Sequence, residues 1–351
     1  MLKDELRDSV CRYVNSKEVK ERLTVPSSQA IIVDDLAQGE YNLNYLLRVF
    51  DGDGKEKDKN RAYVFRVNTG SQMQLKDQIG YEYRALEILG DSGVTPRPIY
   101  LDGSKKDIPY GLLIMEYLPG RPLNYATDLK RAAYTFAKIH SIPVSDTDAA
   151  ALVKEEYPFT AIYKEADCLL KTFFACERVD SELKEMFYRI MDWAYKAKEE
   201  EKYFRSDPWQ CIINTEVNSH NFIVNEDRGI TYLIDWEKPI LGEPAQDLSH
   251  FLIRTTTLWK ADYILSTEEE KYFLTEYLKG VPGSPLKSTL LERVEMFKPF
   301  IHLRAVSWCA MAWVEYTSPG RLLRNEDTFT KIKSYVEPNF IKELFPNIKF
   351  K

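Results

Sequence analysis

The sequence predicts an α+β chain in two lobes, a small antiparallel-sheet lobe with one helix and a larger, mainly helical lobe. Two observations carry this. Most strand signals fall within residues 30 to 118, and the pattern beyond is largely helical. A chain of 351 residues can give each lobe its own core. The lobes are placed at 1–117 and 118–351, with 1–28 as an N-terminal helical extension.

Three β-branched or aromatic runs open the first lobe: Ile31 to Val33, Tyr45 to Val49 and Tyr63 to Val67. The polar stretch Asp51 to Asn60 reads as a flexible hairpin loop between the last two. A helix is expected from about 72 to 89, stopped by Gly90 and Gly93. A strand from Gly111 to Tyr117 then ends at Pro119-Gly120. Helices follow at about 127–141, 160–176, 180–201, 268–279, 289–317 and 327–344. Strands return at Cys211 to Asn214, Phe222 to Val224 and Thr231 to Ile234.

Composition removes several classes. The apolar and charged fractions, 44% and 29%, are those of a globular chain rather than a disordered one. A net charge of −6 argues against a nucleic-acid partner and would suit a cationic small molecule. The opening MLKDELRDSVCRYV reads as an amphipathic helix rather than a secretory signal, and no stretch has the ~18 apolar residues of a membrane span. Cys11, Cys168, Cys176, Cys211 and Cys309 are scattered, so reduced thiols and a cytoplasmic location are expected.

Polar residues in apolar places mark the candidate chemistry. Leu75, Ile79, Leu86 and Leu89 share one helical stripe, and Glu82 falls on it. A buried carboxylate needs a cation, and Arg66 on the nearest strand offers one. Kinases grip nucleotide phosphates with a strand cation held in this way. Further on, the turn Glu226-Asp227-Arg228-Gly229 closes a hairpin that brings Asn221 within a residue or two of Asp235. An amide oxygen and a carboxylate are hard ligands suited to Mg²⁺. Glu216 precedes Asn221 by five residues, within reach of a substrate hydroxyl beside that metal. The sharp break at Pro119-Gly120 could leave backbone groups free for an adenine edge. The run Lys198 to Lys202 reads as a solvated helix end, and His250 and His302 as satisfied core histidines.

In this order the segments resemble the aminoglycoside phosphotransferase and choline kinase family, whose fold is protein-kinase-like, from about residue 30 to 255. The segment Leu36 to Tyr45, with Gly39 and Asn42, resembles the nucleotide loop. Val64-Phe65-Arg66-Val67 is similar to the third strand, and Tyr81 to Leu89 to the helix bearing the ion-pair glutamate. Met115 to Gly120 resembles the hinge; the resemblance implies adenine contacts from the Glu116 carbonyl and the Leu118 amide. The match is most specific at Asn221, at Ile234-Asp235-Trp236-Glu237 and at Gly242-Glu243-Pro244-Ala245-Gln246-Asp247-Leu248.

The resemblance implies an ATP- and Mg²⁺-dependent transfer to the hydroxyl of a small molecule, with Asn221 and Asp235 holding magnesium and Asp247 bracing the loop. It also exposes a departure. The family's His-Gly-Asp is Asn214-Thr215-Glu216 here, and its His-Pro-Gly is Asn218-Ser219-His220. Glu216 has the charge to act as base, but its extra methylene moves the carboxylate by ~1.5 Å. The alternative is therefore a pseudokinase, a nucleotide-binding or scaffolding module. A protein kinase is disfavoured because no activation segment lies between Asp235 and Gly242. The acceptor and the oligomeric state are not legible; Trp308, Trp313 and Glu315 on a late aromatic helix are its only hint.

Overall fold

The computed structural model describes residues 3–39, 41–50, 61–71, 73–283, 288–318 and 326–350. The expected loop at 51–60, Glu40 and Gln72 lie outside them. The chain divides into two compact units. The first is Met1–Pro122, Val144–Leu152 and Phe222–Pro239; the second is Leu123–Pro143, Val153–Asn221 and Ile240–Lys351.

The first unit begins with helices α1 (Lys3–Val14) and α2 (Lys17–Arg22), then strands β1 (Ala30–Gln38), β2 (Asn42–Phe50) and β3 (Ala62–Asn68). Helix α3 (Gln78–Leu89) and strands β4 (Pro98–Asp102) and β5 (Gly111–Glu116) follow. The strands form one antiparallel sheet in the order β1-β2-β3-β5-β4. Leu6, Val10, Val14 and Val19 of the first two helices, with Leu23 just after α2, join Val33, Leu47, Phe65 and Val67 in one core. Burying each such aliphatic side chain contributes roughly 1.5–3 kcal/mol. Polar ties fix the docking: Tyr13 Oη donates to Asp102 Oδ2 at 2.6 Å, and the Asn15 amide bonds both Ile31 N and Ile31 O.

Strand alternation sends Arg66, between Phe65 and Val67, to the opposite sheet face. Helix α3 lies there. A Cβ on Gly111 would come within 2.5 Å of Ile79, so the glycine lets the helix approach the sheet. The helix begins at Gln78 rather than 72, because the Asp77 side chain caps it by accepting from Gly80 N at 3.0 Å. Leu75 therefore precedes the helix instead of sitting on its stripe.

Strand β6 (Arg121–Pro122) closes the first long segment. Helices α4 (Tyr125–His140), α5 (Asp146–Ala151), α6 (Pro158–Ala175), α7 (Ser181–Ala197) and α8 (Lys202–Ser206) come next. Strands β7 (Cys211–Ile213), β8 (Phe222–Asn225), β9 (Ile230–Leu233) and β10 (Ile240–Gly242) lead to α9 (Pro244–Leu252), α10 (Arg254–Lys260) and α11 (Thr267–Gly280). The chain ends with α12 (Leu290–Thr317), α13 (Glu326–Tyr335) and α14 (Pro338–Leu344). In the first unit β6, β8 and β9 form a small sheet; in the second β7 pairs with β10. The second unit's core gathers Phe136, Phe159, Phe251, Phe297 and Phe300, with Phe159 and Phe300 stacked at 4.0 Å.

Two expectations about helices need correction. The stretch 327–344 is two helices, because Pro338 cannot continue α13 and starts α14 instead. The run Lys198 to Lys202 is solvated at Glu199, Glu200 and Lys202 but not throughout. It forms a 3₁₀ turn whose Glu201 is buried, accepting from Thr160 N at 2.9 Å and Thr160 Oγ1 at 2.6 Å. That carboxylate satisfies the N-terminus of α6 from a distance.

Candidate functional site

In the first unit the site is built around Arg66. Its Nη1 donates to Glu82 Oε1 at 2.5 Å, its Nη2 to Asp235 Oδ1 at 3.2 Å and its Nε to Asn44 Oδ1 at 2.9 Å. Arg66 and Glu82 are buried, whereas the Asp235 side chain is one-third exposed. Burial alone would lower the guanidinium's pKa, but Glu82 and Asp235, with Glu237 beyond them, raise it instead. Burial pushes the Glu82 carboxyl up, and Arg66 draws it part of the way back. The outcome is a fixed cation with one carboxylate partner buried and another facing outward.

Asp235 follows the apolar strand β9 and takes a left-handed backbone, φ 64°. A non-glycine residue held there stores strain, which structures retain at functional positions. Trp236, fully buried, donates from Nε1 to Leu233 O at 2.9 Å and anchors the turn. Glu237 accepts from the Asn42 amide, while its carbonyl accepts from Gln78 Nε2 at 2.6 Å. The Gly39 N–H donates to Asn42 O at 2.9 Å, which closes the turn between β1 and β2. The β8–β9 hairpin has the register Phe222↔Leu233 to Asn225↔Ile230, and Gly229 makes its turn at φ 63°.

The hinge segment also belongs to this unit. Met115 is buried in β5, and Glu116 N donates to Arg97 O at 2.9 Å. Among the described residues the Leu118 N–H has no hydrogen-bond partner. A Cβ on Gly120 would meet Val224 O at 2.5 Å, so only glycine lets the segment pass β8 this closely.

In the second unit the loop from Asn214 to Asn221 is held from both ends. Asp247 is fully buried; its Oδ2 accepts from Asn214 N at 2.7 Å and its Oδ1 from Thr215 N at 2.8 Å. Asn214 Oδ1 accepts from Glu216 N at 3.0 Å. Asn221 Nδ2 donates to Glu216 O at 2.6 Å. With its nitrogen so used, the Asn221 amide presents Oδ1, a hard donor that has no partner among the described residues. Thr215 sits at φ 70°, a strained choice for a β-branched residue. His220, next to Asn221, is largely exposed; the partial desolvation of its ring, together with Lys260, lowers its pKa.

The site residues predicted from sequence thus fall in both units. Arg66, Glu82, Asp235, Asn42, Gly39, Met115, Glu116 and Leu118 lie in the first, and Glu216 and Asn221 in the second. Asn44 was missed, although it is paired with Arg66 in the β2–β3 register and alternates with Asn42 on one strand face. The late aromatic helix is partly core: Ile301 and Ala312 are buried, while Trp308 is half-buried and meets Trp259 edge-on at 5.8 Å. His302 is a satisfied core histidine, its Nδ1 3.1 Å from Thr255 Oγ1.

The model of the phosphotransferase enzyme family matches residues 34–284. Among solved structures, a Plasmodium vivax ethanolamine kinase is 18% identical with a TM-score of 0.63, covering 94% of this chain and 88% of that one. A choline kinase from Cryptosporidium parvum is 18% identical with a TM-score of 0.61, covering 98% and 97%. A spectinomycin phosphotransferase, solved with ADP and spectinomycin, is 14% identical with a TM-score of 0.57, covering 90% and 91%. At these identities the likeness shows the fold, the protein-kinase-like α+β architecture expected from sequence. Among curated proteins none matches significantly.

Proposed function

The chain belongs to the phosphotransferase enzyme family, and from that premise we propose that it transfers the γ-phosphoryl group of ATP to a hydroxyl of a small molecule, with Mg²⁺ as cofactor. The single observation that carries this reading is Arg66, buried yet bonded to both Glu82 and Asp235. A guanidinium so fixed is positioned to engage phosphate oxygens without first paying rotamer entropy. Residues 1–117 are assigned to nucleotide binding and 118–351 to the catalytic loop and acceptor. Under this reading the Leu118 N–H and the Glu116 carbonyl receive the adenine edge, and Gly39 and Asn42 shape the loop over the phosphates.

The donor set fits a hard cation. Asp235 offers a carboxylate, and Asn221 an amide oxygen with no partner among the described residues. Magnesium held there supplies charge neutralisation to the phosphates. Glu216 takes the part of the base: it orients the acceptor hydroxyl and accepts its proton as the new P–O bond forms and the bond from the γ-phosphorus to the β,γ-bridging oxygen breaks, releasing ADP. The strained Thr215 and the clamp from Asp247 fix the loop on which that carboxylate rides.

A screen of radiolabelled phosphoryl transfer from Mg²⁺-ATP to a panel of aminoalcohols, polyols and aminoglycosides tests this. Turnover on one class is expected, with Glu216→Gln lowering kcat by about 10²- to 10⁴-fold. ATP binding with no turnover on any acceptor, in wild type and variant alike, identifies a non-catalytic nucleotide-binding module instead.

A further inference from the structure

The second unit contains a polar chain that ends on the catalytic loop and begins in a helix distant in sequence. Tyr277 of α11 is fully buried, and its hydroxyl lies 3.1 Å from His140 Nδ1 at the end of α4. The opposite ring nitrogen, Nε2, is 3.6 Å from Asp247 Oδ2 and has no hydrogen-bond partner among the described residues. Two acceptors do not face each other in a buried space, so the nitrogen turned toward the carboxylate carries the proton. Nδ1 is then the acceptor, and Tyr277 Oη is its donor. At 3.6 Å the Nε2–H acts on Asp247 as an oriented dipole rather than a hydrogen bond.

Asp247 in turn accepts from the backbone N–H groups of Asn214 and Thr215. Thr215 is the residue held at φ 70°. A β-branched residue resists that conformation, and glycine does not. The loop therefore needs an external hold that a glycine there would make unnecessary.

We propose that Tyr277 is a positioning residue: by fixing the His140 tautomer it orients Asp247, which holds Thr215 in its left-handed conformation and so places the Glu216 carboxylate. The inference rests on the phosphotransfer reading for its catalytic consequence, but not for its structural one. Tyr277 touches neither ATP nor acceptor in this account. Its effect runs through the loop alone.

A double-mutant cycle tests it with two readouts. Amide hydrogen exchange at positions 214 and 215 is measured in wild type, Tyr277→Phe, Thr215→Gly and the double variant. Exchange at both amides is expected to rise about tenfold in Tyr277→Phe and by less than about threefold when the same change is made on the Thr215→Gly background. The His140→Gln variant, which cuts the chain at its middle, gives the same pattern if Tyr277→Phe folds poorly. Tyr125→Phe, which removes another buried hydroxyl of this unit (3.4 Å from Phe251 O), leaves both amides unchanged and so controls for general loosening. In turnover, Tyr277→Phe lowers kcat about tenfold without raising KM for ATP, and Thr215→Gly rescues it. Equal effects on both backgrounds, or unaltered exchange in Tyr277→Phe and His140→Gln, overturn the proposal. An enzyme with no detectable turnover would remove the phosphotransfer reading while the exchange cycle still decides this one.

Discussion

Arg66 and Glu82 are charges placed where water does not reach, and the surrounding residues show what that arrangement costs and secures. The pair offsets its desolvation only while both members are present. Glu82→Ala should therefore destabilise the first unit by about 3–5 kcal/mol, read as a fall in its urea midpoint. A loss within about 0.5 kcal/mol would mean that Arg66 finds another partner and that Glu82 is not its principal support. This pairing was legible because an acidic residue interrupted an apolar stripe of period 3.6. Asn44 was not, since its contact depends on strand register rather than on any local anomaly. Nor was the strain at Thr215 and Asp235, because backbone dihedrals are imposed by what surrounds them.

At the scale of elements, patterns with local causes were readable and those with distant causes were not. The β8–β9 hairpin follows from Gly229 and two alternating runs. The start of α3 follows from the Asp77 cap, and the break before α14 from Pro338, both visible in sequence but outweighed by the apolar periodicity. The role of Glu201 as the partner of Thr160 across 41 residues has no local signal. The tie between α10 and α12 is of the same kind. His302 is buried beside Thr255, and burial, with Lys298 and Arg254 adding to it, lowers its pKa to about 3. The folded pKa is below the unfolded one, so the unfolded chain binds the extra proton between about pH 6.5 and 3. Stability attached to His302 is present above about pH 6.5 and is lost as pH falls toward 3, by at most ~5 kcal/mol. Glu243, raised to about 7 chiefly by burial against the pull of Arg293, runs the other way, losing stability as pH rises from its ordinary range to about 7. The two overlap, so the difference in unfolding free energy between wild type and His302→Gln isolates the histidine. That difference should shrink steadily from pH 6.5 to 4; a flat difference would show that His302 is protonated in the folded chain.

For the whole molecule, the family match over residues 34–284 gives the reaction class, phosphotransfer, and the shared architecture gives the fold, which does not name the acceptor. No helix among the described residues is long and apolar enough to cross a membrane. The central claim is that the carboxylate at 235, held by the guanidinium at 66, receives a metal-bound nucleotide. Calorimetric titration with ATP, run with Mg²⁺ and with EDTA on wild type and Asp235→Ala, tests it most directly. Wild type should bind at least about tenfold more tightly with Mg²⁺, and Asp235→Ala should lose that advantage. Equal affinity in Mg²⁺ and EDTA, or an advantage untouched by the alanine, would contradict the account.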